Sequence, residues 1–413
     1  MLELMFMTLF VLVVKKWNLS LNFLMLCFSL SLLFICDDGV SLIKYSMLLL
    51  SVWLVLLMFM SVSENKSGNL FFIFFWVLFS LEISFYAKTM MFFYLGFEMS
   101  VIPVLLIILG WGYQPDRLEA GVYMLIYTVI FSLPLLIAIF MVDMSNIMNS
   151  NFLVLMMFIM AFLVKLPMFG VHLWLPRAHV EAPVYGSMIL AGVMLKLGGY
   201  GVIKISYFLG DIIFSVGGFL MLFSILGGLL LSMICFTQSD MKMLVAYSSI
   251  VHMSLVLSGI LTLKDFGMSG SILMMIGHGL CSSGLFYLVG CMYNRIKSRS
   301  MYINKGIFSI MPINSLWWGL FCVSNLSFPP CLNLPGELFL IMSMVSWSLW
   351  TCVVLGILGL VSSMYSIYLY SFTQHGSSVQ VYSYFTFSLK DSLCLFIHWV
   401  PLNFLIFDLS IMI

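Results

Sequence analysis

Charge is scarce in this chain. Only 8% of its 413 residues are Asp, Glu, Lys or Arg, where an average soluble domain carries about a quarter, and mean hydropathy is +1.16. That composition excludes a soluble globular domain. Lys and Arg number 17 and Asp and Glu 16, a formal net charge of +1, so there is neither a basic surface for nucleic acid nor an acidic tail. The nine cysteines include no C-x-x-C pair and so supply no ligand set for zinc or an iron–sulfur cluster. They read as small buried hydrophobes. A glycine-rich dinucleotide fingerprint and a haem ligand pair are also missing, as are linkers, low-complexity tracts and any soluble segment.

Apolar runs are what the chain does have. A helix needs about 20 apolar residues to cross a bilayer, and cutting the runs at charged or turn-rich breaks predicts spans near 1–14, 19–36, 43–63, 69–87, 90–111, 119–142, 151–173, 183–207, 211–236, 243–263, 267–293, 307–347, 350–372 and 391–412. The expected architecture is an all-α polytopic membrane protein of about fourteen transmembrane helices. The opening MLELMFMTLFVLVVKK carries Lys15 and Lys16 after its apolar region, the reverse of a cleavable signal, and reads as a retained span. Eleven cations follow odd-numbered spans and only Lys44, Lys88, Lys204 and Lys264 follow even-numbered ones. The positive-inside rule then puts the odd loops inside.

Four ionisable residues fall within spans: Glu98, Lys165, Lys196 and Glu337. A charge at the bilayer centre costs about 2.5–3.5 kcal/mol on insertion scales, so such residues mark ion routes or buried ion pairs. A carboxylate beside a buried lysine favours its charged form, and withdrawal of that carboxylate lets the lysine release a proton. Glu98 and Lys165 are the expected pair. Two spans are also expected to break, the seventh at Pro167 and Gly170 just after Lys165, and the twelfth within SFPPCLNLPGE beside Glu337. Broken helices at membrane depth line cavities. Breaks five spans apart point to two inverted five-helix repeats, residues 69–207 and 211–372, preceded by spans in 1–63 and followed by a last one at 391–412. His252 and His278 lie inside the tenth and eleventh spans as candidate proton carriers. The serines around them, 248, 249, 254, 282 and 283, are placed to hold water or donate hydrogen bonds. Arg177, His179 and Glu181 read as residues that structure an inner loop, and His375 and His398 as peripheral.

The segment VKLPMFGVHLWLPRAHVEAPVYGSMILAGVMLKLGGYG closely resembles the signature of the antiporter-like membrane-arm subunits of respiratory complex I. FFYLGFEMSVIP with WGYQPDRLEAG, TQSDMKMLVAYSSIVHMSLV, MMIGHGLCSSGLFYLVGCMYNR and SNLSFPPCLNLPGELFLIMS extend the likeness over residues 85–372 in the same order. The resemblance implies discontinuous seventh and twelfth helices, one proton channel, and residence in the mitochondrial inner membrane among other membrane-arm subunits, neighbouring antiporter-like subunits and lipids. By position, Glu98 matches the family's fifth-span glutamate and Lys165 its central lysine. Lys196 matches the connecting lysine, His278 the relay histidine, Glu337 the outlet glutamate and His252 a polar position of the tenth span. NADH, flavin, iron–sulfur clusters and ubiquinone are then expected in other subunits, with none bound by this chain. Two departures stand out: the connection MVDMSNIMNSN is short and the N-terminal region compact. Glu82 stands where a neutral residue is expected, either facing lipid headgroups or adding a second carboxylate near Glu98.

Three functions fit these residues. The favoured one is proton translocation coupled to NADH oxidation elsewhere in the complex. A sodium/proton antiporter subunit shares the same fold and charges. A passive spacer of the membrane arm, its buried charges merely locking helices, is the third; it predicts that joint apolar replacement of Glu98 and Lys165 is harmless, because buried ion pairs can often be replaced without loss of stability.

Overall fold

The structure is a computed structural model describing residue 8 and residues 16–32, 39–62, 66–144, 152–377 and 387–409. The expected first span therefore lies outside the described residues except for Thr8. The rest is helical: α1 (Trp17–Leu32), α2 (Gly39–Ser61), α3 (Gly68–Tyr86), α4 (Met90–Met99), α5 (Val101–Trp111), α6 (Arg117–Met144), α7 (Phe152–Lys165), α8 (Trp174–Glu181), α9 (Val184–Ile189), α10 (Leu195–Cys235), α11 (Met241–Leu261), α12 (Asp265–Ile296), α13 (Ile307–Ile310), α14 (Pro312–Asn325), α15 (Asn333–Val345), α16 (Thr351–Gln374) and α17 (Leu389–Phe404). Among the described residues the only β feature is a single bridge between Asp240 and Ser300.

Among the described residues, ten segments are long and apolar enough to cross a membrane. Within an apolar solvent every backbone amide must be satisfied inside its own helix, which is why these runs are helices and not strands. Starts are marked by small polar residues: the Ser67 and Thr89 hydroxyls accept from the Leu70 and Phe92 amides at 3.3 and 3.4 Å. Pro103 cannot donate to the carbonyl four residues back, and the crossing Met90–Trp111 is interrupted at Ser100, one turn before it. α10 covers two crossings joined by a kink at Leu209.

α11 and α12 form the centre. The apolar window of α12 is 100% buried and that of α11 94%, against 33% for α6 and α16 and 28% for α17. The outer helices present apolar side chains to their surroundings, as lipid-facing or subunit-facing helices do. Glycine makes the centre close-packed. A side-chain carbon on Gly279 of α12 would sit 3.1 Å from the Gly192 carbonyl oxygen, and one on Gly277 would strike Asn333 of α15.

Both expected breaks are present, and they are built alike. α7 ends at Lys165 and the chain re-enters a helix at Trp174; α14 ends at Asn325 and re-enters at Asn333. In the first, Met168 donates to Leu163 at 3.1 Å and Leu175 to His172 at 3.0 Å; in the second, Phe328 donates to Val323 at 3.2 Å and Leu334 to Cys331 at 3.2 Å. At each break a re-entrant side chain donates to a carbonyl near the end of the preceding helix. Trp174 Nε1 donates to Val164 at 3.0 Å, and Asn333 Nδ2 to Ser324 at 2.9 Å.

The cations separate into two groups. Lys44, Lys88 and Lys204 line one pocket. Elsewhere, Lys242 donates to Ala182 at 2.9 Å, Arg299 to Val180 at 2.7 Å and to Gln114 at 2.8 Å, and Lys390 to Val62 at 2.9 Å. Along α2, Lys44 and Val62 are 18 residues apart, about 27 Å of helix. The two groups thus occupy opposite ends of the bundle.

Candidate functional site

Lys165 is the last residue of α7, held at the lip of the first break. Its Nζ donates to the Phe97 carbonyl at 2.8 Å and lies 3.1 Å from the centre of the Phe97 ring. A lysine with three donors and almost no exposure needs such partners in an apolar bundle. Glu98 is the neighbour of that carbonyl, and the two charges act on each other across space. They do not touch, however: the four ion pairs within 4.0 Å among the described residues do not include them, and Glu98 Oε1 is buried without a hydrogen-bond partner. The expected direct pair is therefore replaced by a lysine held one residue to the side.

A cavity of about 10 Å³, room for about one water, runs from Lys165 past Thr128 and Trp174 to Leu190 and Met194. Those last two residues bound a π-turn, Leu190–Met194, between α9 and α10. Such a turn shifts the hydrogen-bond ladder by one residue and is frequent at functional sites. The Lys196 ammonium donates to the Ala191 carbonyl within it. Lys196 Nζ also lies 3.0 Å from His278 Nδ1.

Beyond His278 the file continues by proximity and not through hydrogen bonds, and His252 Nδ1 has no hydrogen-bond partner. The His278 and His252 rings are 5.5 Å apart, and His252 Nδ1 is 3.3 Å from Glu337 Oε1. His252 Nε2 is 3.5 Å from the Tyr365 hydroxyl. Lys196, His278 and His252 are essentially inaccessible, whereas the Glu337 side chain retains 22% exposure at the second break. The file thus ends at the surface of this chain. His278 occupies its place because the glycines on either side let α12 lie against both the π-turn and the second break. Gly279→Val is expected to push α12 off the π-turn, a strain of about 1–3 kcal/mol. A lowered thermal midpoint together with slowed proton transfer would be measured; unchanged values would mean that the contact has slack.

Sequence reasoning brought together Lys196, His278, His252 and Glu337, and placed Glu98 and Lys165 at the other end. Other expectations are corrected. The serines use their donors locally: Ser248, Ser249, Ser254 and Ser283 each donate to the carbonyl three residues back, and Ser282 donates to the His278 carbonyl at 2.6 Å. In a medium without water the nearest acceptor is the helix itself. Glu82 neither faces headgroups nor joins Glu98: it is fully buried, and Thr8 Oγ1 donates to it at 2.8 Å. His398 is not peripheral but buried in α17, bonded to the Cys394 carbonyl at 2.8 Å.

Three residues of interest were missed. His179, read as a loop residue, is wholly buried in α8, stacked on Phe286 at 4.5 Å with neither ring nitrogen hydrogen-bonded. Lys242, also read as a loop cation, is buried, as are Lys165, Lys196 and Lys204. The only signal for either was its position next to a break or a span end. Tyr365 carried no signal among 18 tyrosines. Arg177 pairs with Glu119 at the surface, whereas Glu181 is buried beside Arg299 at 3.7 Å. His172 packs on Phe169 and Tyr247, and its Nδ1 accepts from the Gly170 amide at 3.3 Å. Among the described residues no three His, Cys, Asp or Glu side chains converge to hold a metal ion.

Broken crossings around a buried file of lysine, histidine and glutamate define the class of helical membrane proteins that move small cations. The chain belongs to the NADH:quinone oxidoreductase/Mrp antiporter transmembrane family, whose profile matches residues 87–363. It is 49% identical over 385 residues to NADH-ubiquinone oxidoreductase chain 4 of Ceratitis capitata, and 47% identical over 386 residues to that of Aedes aegypti; each match covers 89% of this chain and 86% of the relative. A solved chain of respiratory complex I from Thermus thermophilus shares the fold with a TM-score of 0.85 at 20% identity, covering 98% of this chain and 93% of that one.

Proposed function

We propose that this chain is a core subunit of the membrane arm of NADH:ubiquinone oxidoreductase in the mitochondrial inner membrane, and that it carries protons across that membrane. The observation that carries the reading is the file Lys196–His278–His252–Glu337. Its members sit on α10, α11, α12 and α15, too far apart in sequence for simple helix packing to require them together. A chain of buried groups that each exchange a proton is a wire; an apolar core of the same shape would be cheaper to fold.

The Lys165 head group has two places available, the Phe97 carbonyl it occupies and the free Glu98 oxygen beside it. A signal from neighbouring subunits that changes the charge near Glu98 moves Lys165 between them and changes its hold on a proton. The proton then passes by way of the small cavity to Lys196, along the two histidines, and out at Glu337. The twin breaks, with their shared hydrogen-bond pattern, support residues 69–207 and 211–372 as two copies of one unit in opposite orientation. Oxidation of NADH, with its flavin and iron–sulfur clusters, and reduction of ubiquinone belong to other subunits.

Proton translocation by inner-membrane vesicles oxidising NADH, measured at varied sodium, tests the choice between proton pump and sodium/proton antiporter. The expected result is a rate of acidification independent of sodium. A rate that rises with sodium and saturates would favour the antiporter.

A further inference from the structure

The lysines left on the less basic side of the chain have an arrangement that the proton file does not use. Lys44 near the start of α2, Lys88 in the turn between α3 and α4, and Lys204 in α10 come from three separate elements and line one pocket of about 210 Å³. None of the residues lining it is acidic, and no described carboxylate lies within 4.0 Å of these lysines. Lys204 and Lys44 act on each other as like charges. Lys204 is 9% exposed, with its Nζ donating to the Ala87 carbonyl at 2.7 Å and the Phe93 ring 5.0 Å away. One donor used leaves two.

Three cations held around one cavity repel each other unless an anion sits among them. The same pocket has apolar walls, Ile43 and Ile203, and opens at Phe208, which is 55% exposed on the outer surface of the bundle. A soluble phosphate would use the lysines and leave the walls idle. A lipid uses both. We propose that this pocket binds the phosphodiester of an anionic phospholipid, with Lys44, Lys88 and Lys204 around the phosphate and an acyl chain leaving along Ile43 and Phe208. The proposal does not depend on the proton reading.

The test is photolabelling of the purified complex with phosphatidylglycerol carrying a diazirine in its acyl chain, read by mass spectrometry of the peptide that contains Phe208. Each lysine near an anionic lipid contributes enough that Lys44→Gln with Lys88→Gln is expected to lower labelling about tenfold or more. Unlabelled phosphatidylglycerol should compete in the unaltered complex, while phosphatidylcholine and inorganic phosphate at the same concentration should not. Equal labelling in the double variant, or equal competition by phosphatidylcholine, overturns the proposal. Displacement of the probe by inorganic phosphate assigns the pocket to a free anion instead, and a zero-length cross-link from Lys44 or Lys88 to a carboxylate of another subunit assigns it to a protein contact; either overturns the lipid. If the glutamine variant does not assemble, Lys44→Arg with Lys88→Arg is expected to keep full labelling, and the competition in the unaltered complex decides.

Discussion

Lys165→Ala is expected to abolish proton translocation coupled to NADH oxidation, by about 100-fold, the usual loss when a positioned proton-transfer group is removed. The complex should still assemble. The side chain's contacts are one carbonyl bond and one ring face, both to Phe97, and losing them leaves a small apolar void next to the existing cavity. Vesicles carrying the variant would be assayed for NADH oxidation, acidification and assembly on one sample. Collapse of oxidation and pumping together, with assembly intact, places Lys165 on a route tied to electron transfer. Pumping at the full rate would make the buried charge a structural feature, and the spacer reading would stand. Glu98→Gln gives a sharper version, because it keeps the shape and removes only the charge that acts on Lys165.

The second large effect is expected at the other end of the file. Glu337→Gln keeps the size of the side chain and leaves His252 Nδ1 facing an amide in place of a carboxylate that can take a proton. Pumping should fall about 100-fold, while Glu337→Asp, which restores a carboxylate one methylene short of His252, should recover part of it. The recovery separates a proton acceptor from a packing role: a merely structural Glu337 would tolerate glutamine better than aspartate. His252→Ala should give a loss similar to that of Glu337→Gln, because it opens the gap between His278 and Glu337. Independent, multiplying losses in the double variant would argue against a single file, since residues acting as one unit are far from additive.

The chain's membrane character, the two breaks and most of the buried charges proposed for the relay were legible from sequence because each violates the local rule. A lysine in an apolar run, a pair of prolines within a span and a histidine flanked by glycines are all expensive, and expense is visible in one dimension. His179 and Lys242 violate no local rule, since each stands next to a loop. Only the return of α8 into the bundle buries them. The partners of the serines were not legible either: Ser248, Ser249 and Ser254 each donate to a carbonyl of their own helix.

What the sequence by itself determined was the solvent, the periodicity and the places of greatest cost, since hydropathy and proline chemistry act within a few residues. Which charges meet was decided by tertiary structure alone. Lys196 and His278 are 82 residues apart in the chain and 3.0 Å apart in space, and no sequence rule specifies that distance. It follows from Gly277 and Gly279 letting α12 settle between a π-turn and a broken helix, and close packing of that kind depends on every neighbouring side chain at once.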